Sequence, residues 1–257
     1  MPFPDYLDRN PRIIFFTDFD GTVTTDDMCD WLVATDGYGS QKLRESSQAV
    51  VDGTMHFRDA SQEQLESITI GFDKCVEKAM AHVQLDKHFL DFYNWATLVS
   101  IPIVILSGGL VPLIEATLKQ FMEHELHGIE VVANSIAVKD GFKSVNEDGG
   151  AWRVQFRDNS IYGNDKAQAI KPYAKHRKTM AEADKPILLF AGDGISDLSA
   201  AGYTDLLFAK QGEDLIEYCK RQQLPFIEFQ DWASILKTTQ DLYYGKKSVA
   251  EVVAEKY

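Results

Sequence analysis

The 257-residue chain has only three cysteines, Cys29, Cys75 and Cys219, an odd number without the paired spacing of a metal site. That argues against a disulfide framework and for a reducing compartment, so the cytosol is the expected location. Apolar runs long enough to cross a bilayer are missing, and the opening residues, with Pro2, Pro4, Asp5 and Asp8, do not read as a signal peptide. Positive charge is scarce: 26 Lys and Arg face 39 Asp and Glu, for a net charge of −13. Nucleic acid and anionic membrane surfaces are bound through clustered Lys and Arg, so neither is an expected partner. A small phosphorylated molecule stays compatible with this charge, because a local metal ion can outweigh the global field.

What is present is 45% hydrophobic residues over a length that suits one large α/β domain, or one such domain with an insertion. Four apolar residues in a row, Ile13 to Phe16, suit a strand buried on both faces, and the run ends abruptly in Thr17-Asp18-Phe19-Asp20-Gly21-Thr22-Val23-Thr24. Charge at the end of a buried strand is costly unless a cation or hydrogen-bond donors meet it, so two acids here suggest a site. In extended backbone Asp18 and Asp20 point to the same side.

From Asp26 to about Leu98 apolar residues recur at three- and four-residue steps, as in Phe89, Phe92, Tyr93 and Ala96, and Gly37, Gly39, Gly53 and Gly71 punctuate the stretch. So long a passage between two strands exceeds an ordinary crossover and predicts an inserted helical cap over 27–98. The sheet resumes at Ile101 to Leu106, followed by Ser107-Gly108-Gly109 and a helix opened near Pro112. That layout presents a hydroxyl and backbone N–H groups to an anion.

Residues 129–156 read as β structure, with runs at Ile129–Ala133, Ser135–Val138 and Trp152–Phe156 and an Asp140-Gly141 hairpin turn. Next, Asn164 is the expected N-cap of a helix carrying Lys166 in its first turn, where the helix dipole disfavours a cation and a nearby phosphate would offset the cost. Lys171 and Lys175 are the fallback candidates. A last buried strand, Pro186 to Ala191, runs into Gly192-Asp193-Gly194-Ile195-Ser196-Asp197. A dinucleotide fingerprint competes here, but Asp197 occupies its third glycine position and Asp193 would face the pyrophosphate. For Mg²⁺ the same acids are assets. Leu206–Ala209 and Pro225–Ile227 read as further strands, and His124 and His127 as a solvated pair.

These four segments, Asp18 to Thr24, Ser107-Gly108-Gly109, Lys166, and Gly192 to Asp197, resemble in order the four motifs of the haloacid dehalogenase-like phosphatases. The helical insertion resembles the cap of the phosphoserine phosphatase-like branch. The wording is also similar to the methionine-salvage phosphatases and to those acting on phosphocholine and phosphoethanolamine. The resemblance implies an α/β fold, a Rossmann-like parallel sheet core over 1–26 and 99–257 with the inserted helical cap. It implies a Mg²⁺-dependent phosphomonoester hydrolase acting on a small phosphorylated metabolite through an aspartyl-phosphate.

On that basis Asp18 is the nucleophile and Asp20 the general acid and base. Asp18, Asp193 and the backbone carbonyl of Asp20 surround Mg²⁺. Ser107, Gly108 and Lys166 hold the phosphate, with Asp197 and Ser196 in support. Related phosphoserine phosphatases usually have Asn at Ser196 and, at Asp27, the Glu that reads their amino-acid substrate, so phosphoserine is not a secure expectation. Trp31, Arg44 and Arg58 in the cap are further specificity candidates. A phosphotransferase or mutase using the same acids, or a non-catalytic phosphometabolite-binding protein, are the alternatives, and turnover to free phosphate separates them.

Overall fold

Side chains on a strand alternate between faces, and β1 (Ile13–Thr17), buried throughout, shows what that requires at the centre of a sheet. Ile13 and Phe15 enter one apolar cluster, Ile14 and Phe16 another. The computed structural model describes residues 10–122 and 128–256; His124 and His127 lie outside them. The other strands are β2 (Ile103–Leu110), β3 (Ile129–Val138), β4 (Trp152–Gln155), β5 (Ile187–Gly192), β6 (Leu206–Lys210) and β7 (Ile227–Phe229). They form one seven-stranded sheet in the order β4-β3-β2-β1-β5-β6-β7. Every pairing is parallel except β3 with β4. The chain builds outward from β1 on one side and then returns to build on the other, so β1 lies at the switch point, where α/β sheets open a crevice at the carboxyl ends of their strands.

The helices are α1 (Met28–Asp36), α2 (Ser40–Val51), α3 (Phe57–Glu66), α4 (Phe72–His82), α5 (Phe89–Leu98), α6 (Val111–Phe121), α7 (Lys166–Arg177), α8 (Leu198–Ala201), α9 (Asp214–Gln222), α10 (Trp232–Tyr243) and α11 (Val249–Ala254). One face of the sheet is covered by α5, α6 and α10, the other by α7 and α9. Glycines mark the helix ends between α1 and α4: Gly37 is the C-cap of α1, Gly39 the N-cap of α2 and Gly71 the N-cap of α4.

The excursion that holds α1–α4 leaves and returns at a narrow neck. Thr24 bridges Leu85, Thr25 N–H donates to the Gln84 carbonyl at 3.0 Å, and Asp86 N–H to that of Val23 at 2.9 Å. After the neck, α5 packs on the sheet, with Phe92 4.7 Å from Phe15 and 4.8 Å from Trp232 between ring centroids. It falls inside the range 27–98 expected for the cap, because its apolar face has helical spacing like the others and nothing local says which surface it meets.

Three further differences have physical causes. The runs 129–133 and 135–138 form a single strand, β3, whose first part pairs with β2 and whose last four residues pair with β4. Asp140-Gly141 is not a tight hairpin turn: residues 139–151 reach out to the helices, where Gly149 N–H donates to the Thr69 carbonyl at 2.7 Å and the Trp152 indole to that of Ile70 at 3.1 Å. Finally, β2 continues through Ser107-Gly108-Gly109 with a register shift before Leu110, and α6 opens only at Val111 with Pro112 in its first turn.

Candidate active site

The carboxyl ends of β1, β2 and β5 bring together the residues that the sequence separates by up to 179 positions, from Asp18 to Asp197. Asp18 continues β1, its N–H donating to the Ala191 carbonyl of β5 at 2.8 Å. One of its carboxylate oxygens accepts the Phe19 N–H at 2.7 Å and the other lies 2.8 Å from Lys166 Nζ. Lys166, at the first position of α7, is fully buried and also pairs with Asp197. Burial works against the Lys166 charge, but Asp18 and Asp197 outweigh it and hold the ammonium above its ordinary pKa.

Asp197 has no oxygen to spare. One takes Lys166, and the other accepts the N–H groups of Asp193 and Gly194 at 2.9 and 3.0 Å. Carboxylate oxygens of Asp18, Asp193 and Asp197 lie within 4.8 Å of one another. The site is therefore short of positive charge. Burial, reinforced by Asp197, pushes Asp18 up to about 7, and burial with the Asp18 charge raises Asp193 well above the carboxylate range. Burial and then Asp27 do the same to Asp20, against the Met28 N–H that donates to it at 3.1 Å.

Close approach explains two glycines. Gly21 has φ +72° and its missing Cβ would lie 2.2 Å from an Asp193 oxygen; at Gly109 a Cβ would lie 2.7 Å from an Asp20 oxygen. The turn after Asp20 is held from outside, by the Trp232 indole on the Thr22 carbonyl at 2.8 Å and by Lys210 on the carbonyl of Gly21.

Ser107 is buried at the floor and accepts the Gly109 N–H at 2.9 Å. Its own carbonyl takes the side-chain amide of Asn164 at 2.8 Å, and the Gly108 carbonyl takes that of Asn134, also at 2.8 Å. Asn164 is thus not the N-cap of α7. It is buried, and Asp165 caps the helix through Ala167 N–H. Only the fold reveals these two asparagines as braces of the Ser107 loop, because an Asn before a helix and an Asn within a strand carry no signal of a remote partner.

A cavity of about 270 Å³ opens above this floor, walled by α1, α2 and α3 and by residues 193–196. Asp18, Asp20, Ser107, Gly108, Asp193 and Ser196 line it, as does Asp27, the N-cap of α1. Asp30, Ser61, Gln64 and Asp214 line it too, and the sequence had singled out none of them. Asp27 and Asp30 face open space through the cavity yet have protein on most sides, and Asp27's charge followed by burial pushes Asp30 up to about 8. Trp31, Arg44 and Arg58 do not line it. Trp31 stacks on His82 with centroids 4.3 Å apart, Arg44 is exposed on α2, and Arg58 lies over the Phe156 ring and donates to the Asp158 carbonyl. Lys171 and Lys175 are exposed along α7, away from the floor.

The family model of the haloacid dehalogenase-like hydrolases matches residues 15–202. Polyol phosphate phosphatase PYP1 of Saccharomyces cerevisiae is 36% identical, over 94% of this chain and 98% of its own. Pdp3-interacting factor 1 of Schizosaccharomyces pombe is 38% identical, over 92% and 99%. A substrate-bound phosphoserine phosphatase has the same fold, with a TM-score of 0.65 at 16% identity over 88% of this chain and 98% of that one. The chain belongs to the haloacid dehalogenase-like hydrolases and is a phosphatase.

Proposed function

We propose that this phosphatase hydrolyses phosphomonoesters of small metabolites through an aspartyl-phosphate on Asp18, with Mg²⁺ as cofactor. The observation that carries the reading is the convergence of Asp18, Asp193 and Lys166 at one cavity floor that also holds Asp20. An Asp18 oxygen attacks phosphorus as the bond from phosphorus to the ester oxygen breaks, and Asp20 gives its proton to the leaving alcohol. Its pKa, raised first by burial and then by Asp27, suits that role, since it favours the protonated form that a general acid needs. Asp20 then takes a proton from water, which attacks the phosphorus, and Asp18 is released with inorganic phosphate. Lys166 balances charge on the phosphoryl oxygens and Asp197 holds it in place, while the Ser107 hydroxyl offers a hydrogen bond at the floor.

The residues fit a hard divalent cation. The side-chain donors are all oxygen, from Asp18 and Asp193, the Asp20 carbonyl being the third that the family resemblance implies, and the raised pKa values of the two carboxylates mark a place where positive charge is missing. When bound, Mg²⁺ neutralises the charge of nucleophile and phosphate and so lets two anions meet. The crowded Asp197 serves as a brace and not as a ligand.

A cavity of about 270 Å³ suits a metabolite and not a folded protein substrate. The name of the Saccharomyces cerevisiae relative, matched over nearly its full length, supports that class. Asp18→Asn should lower kcat by more than about a thousandfold with binding retained, and acid quench of the native enzyme should trap phosphate on Asp18. Phosphate release without an adduct at Asp18, from a variant that keeps most of its rate, would refute the mechanism.

A further inference from the structure

Asp20 stands between the buried strand β1 and a turn that local forces alone hold poorly. Gly21 has φ +72° and no side chain to lock that conformation, and a glycine moves readily between backbone regions. Inside the turn the Phe19 carbonyl takes the N–H groups of Thr22, Val23 and Thr24 at 3.2, 2.8 and 3.0 Å. The three carbonyls that follow Asp20 each accept from a residue remote in sequence. That of Gly21 takes the Lys210 ammonium, that of Thr22 the Trp232 indole N–H at 2.8 Å, and that of Val23 the Asp86 N–H at 2.9 Å.

The donors come from separate parts of the chain. Lys210 ends β6, one residue past the pair Ala209–Gly192 and beside the point where β5 runs into Asp193. Its ammonium pairs with no carboxylate among the described residues and is directed at the Gly21 carbonyl instead. Trp232 opens α10 and is fully buried, its ring packed against those of Phe15, Phe89 and Phe92 with centroids 5.6, 4.9 and 4.8 Å apart. Close packing of this kind leaves the indole N–H little freedom to part from Thr22. Asp86 sits at the neck, and its carboxylate accepts the N–H groups of Trp232 and His88 at 3.2 and 3.0 Å. The sheet, α10 and the neck thus meet in one clamp on the turn that carries Asp20.

The Asp20 carboxylate accepts the Met28 N–H and is otherwise aimed by the backbone on either side of it. Before it, that backbone is fixed by the Asp18 N–H on the Ala191 carbonyl; after it, by the clamp. We infer that Lys210 and Trp232 are positioning residues for Asp20, setting the turn so that its carboxyl reaches the oxygen of the leaving alcohol. This rests on Asp20 being the general acid of a phosphomonoester hydrolase, and goes further by naming what aims it. Misplacing a reacting group by about 1 Å can cost about a hundredfold in rate. An ester whose leaving group needs the proton feels that loss in full, and one whose leaving group does not is largely spared.

The test compares kcat/KM at saturating Mg²⁺ for propyl phosphate, whose alkoxide must be protonated as it leaves, and p-nitrophenyl phosphate, whose phenolate leaves without a proton. Asp20→Asn calibrates the ratio: it should cost propyl phosphate about a hundredfold or more and p-nitrophenyl phosphate much less. Lys210→Met and Trp232→Phe should each cost propyl phosphate about ten- to a hundredfold and p-nitrophenyl phosphate less than about threefold. Lys210→Arg, which keeps a charged donor, should restore the native ratio. Thermal melts identify the variants that fold, and should Trp232→Phe not do so, Lys210→Met at its half-buried position decides alone. A native ratio in the folded clamp variants, whether both esters slow equally or neither slows, reduces the clamp to a structural part and overturns the inference alone. A native ratio in Asp20→Asn overturns the reading of Asp20 as the acid, and the inference with it.

Discussion

The floor of the cavity and its roof are built on opposite plans. At the floor, Asp18, Lys166, Asp197 and Ser107 are buried and tied to fixed partners, and glycines let the acids approach to contact. In the roof, Asp27 and Asp30 face open space, Ser61 lines the cavity, and Val51 is 45% exposed at the end of α2. Reacting groups need their positions held before the substrate arrives, and a low-dielectric surround strengthens what they do to charge. Groups that choose a leaving alcohol can wait for the ligand to satisfy them. The contrast predicts large effects of floor substitutions on both folding and rate, and effects of roof substitutions mainly on the ratio between substrates.

The sharpest way to break the contrast is Lys166→Met. It leaves Asp18 and Asp197 buried without their shared cation, and should cost about 3–5 kcal/mol in urea unfolding as well as nearly all activity. A variant as stable as the native protein would show that the floor is not held by charge. Asn164→Ala should cost about 1–3 kcal/mol, since the carbonyls of Ser107 and Val132 each lose a donor, and kcat should fall as the Ser107 loop loosens.

A milder probe is pH in the absence of metal. Asp18 rises from 3.8 to about 7 in the fold, so the folded state binds more protons than the unfolded one over that interval. The stability it contributes is fully present below about pH 4 and is lost as pH rises through about 7. In EDTA the melting temperature should therefore fall between about pH 5 and pH 8, and Mg²⁺ should oppose the fall. Surface acids held low by lysine, such as Asp36 beside Lys78, act with the opposite sign and only in the acid range. A melting temperature that rises across this interval in EDTA would contradict the charge deficit at the floor. The smallest effect should come from Arg44→Ala on the exposed face of α2, within about 0.5 kcal/mol and with substrate ratios unchanged. A changed ratio would extend the selecting surface beyond the cavity.

The floor was legible in the sequence because its residues follow local rules. An apolar run ending in Asp18-Phe19-Asp20-Gly21 states a buried strand, two acids on one side and a tight turn, and Pro186 to Asp197 repeats the statement. The roof was legible only as helices. Trp31, Arg44 and Arg58 were specificity candidates as side chains of the expected cap, whereas the fold stacks Trp31 on His82, turns Arg58 onto Phe156 and leaves Arg44 exposed.

The chain by itself determined the strands, the helix ends at glycine and the acids at the strand termini, since each depends on periodicity or backbone freedom within a few residues. Tertiary structure decided that Asn134 and Asn164 brace the Ser107 loop, that α5 joins the sheet, and that Asp30 and Ser61 face the cavity. A helix of mixed polarity has several directions open to each side chain, and only packing against distant parts of the chain selects one.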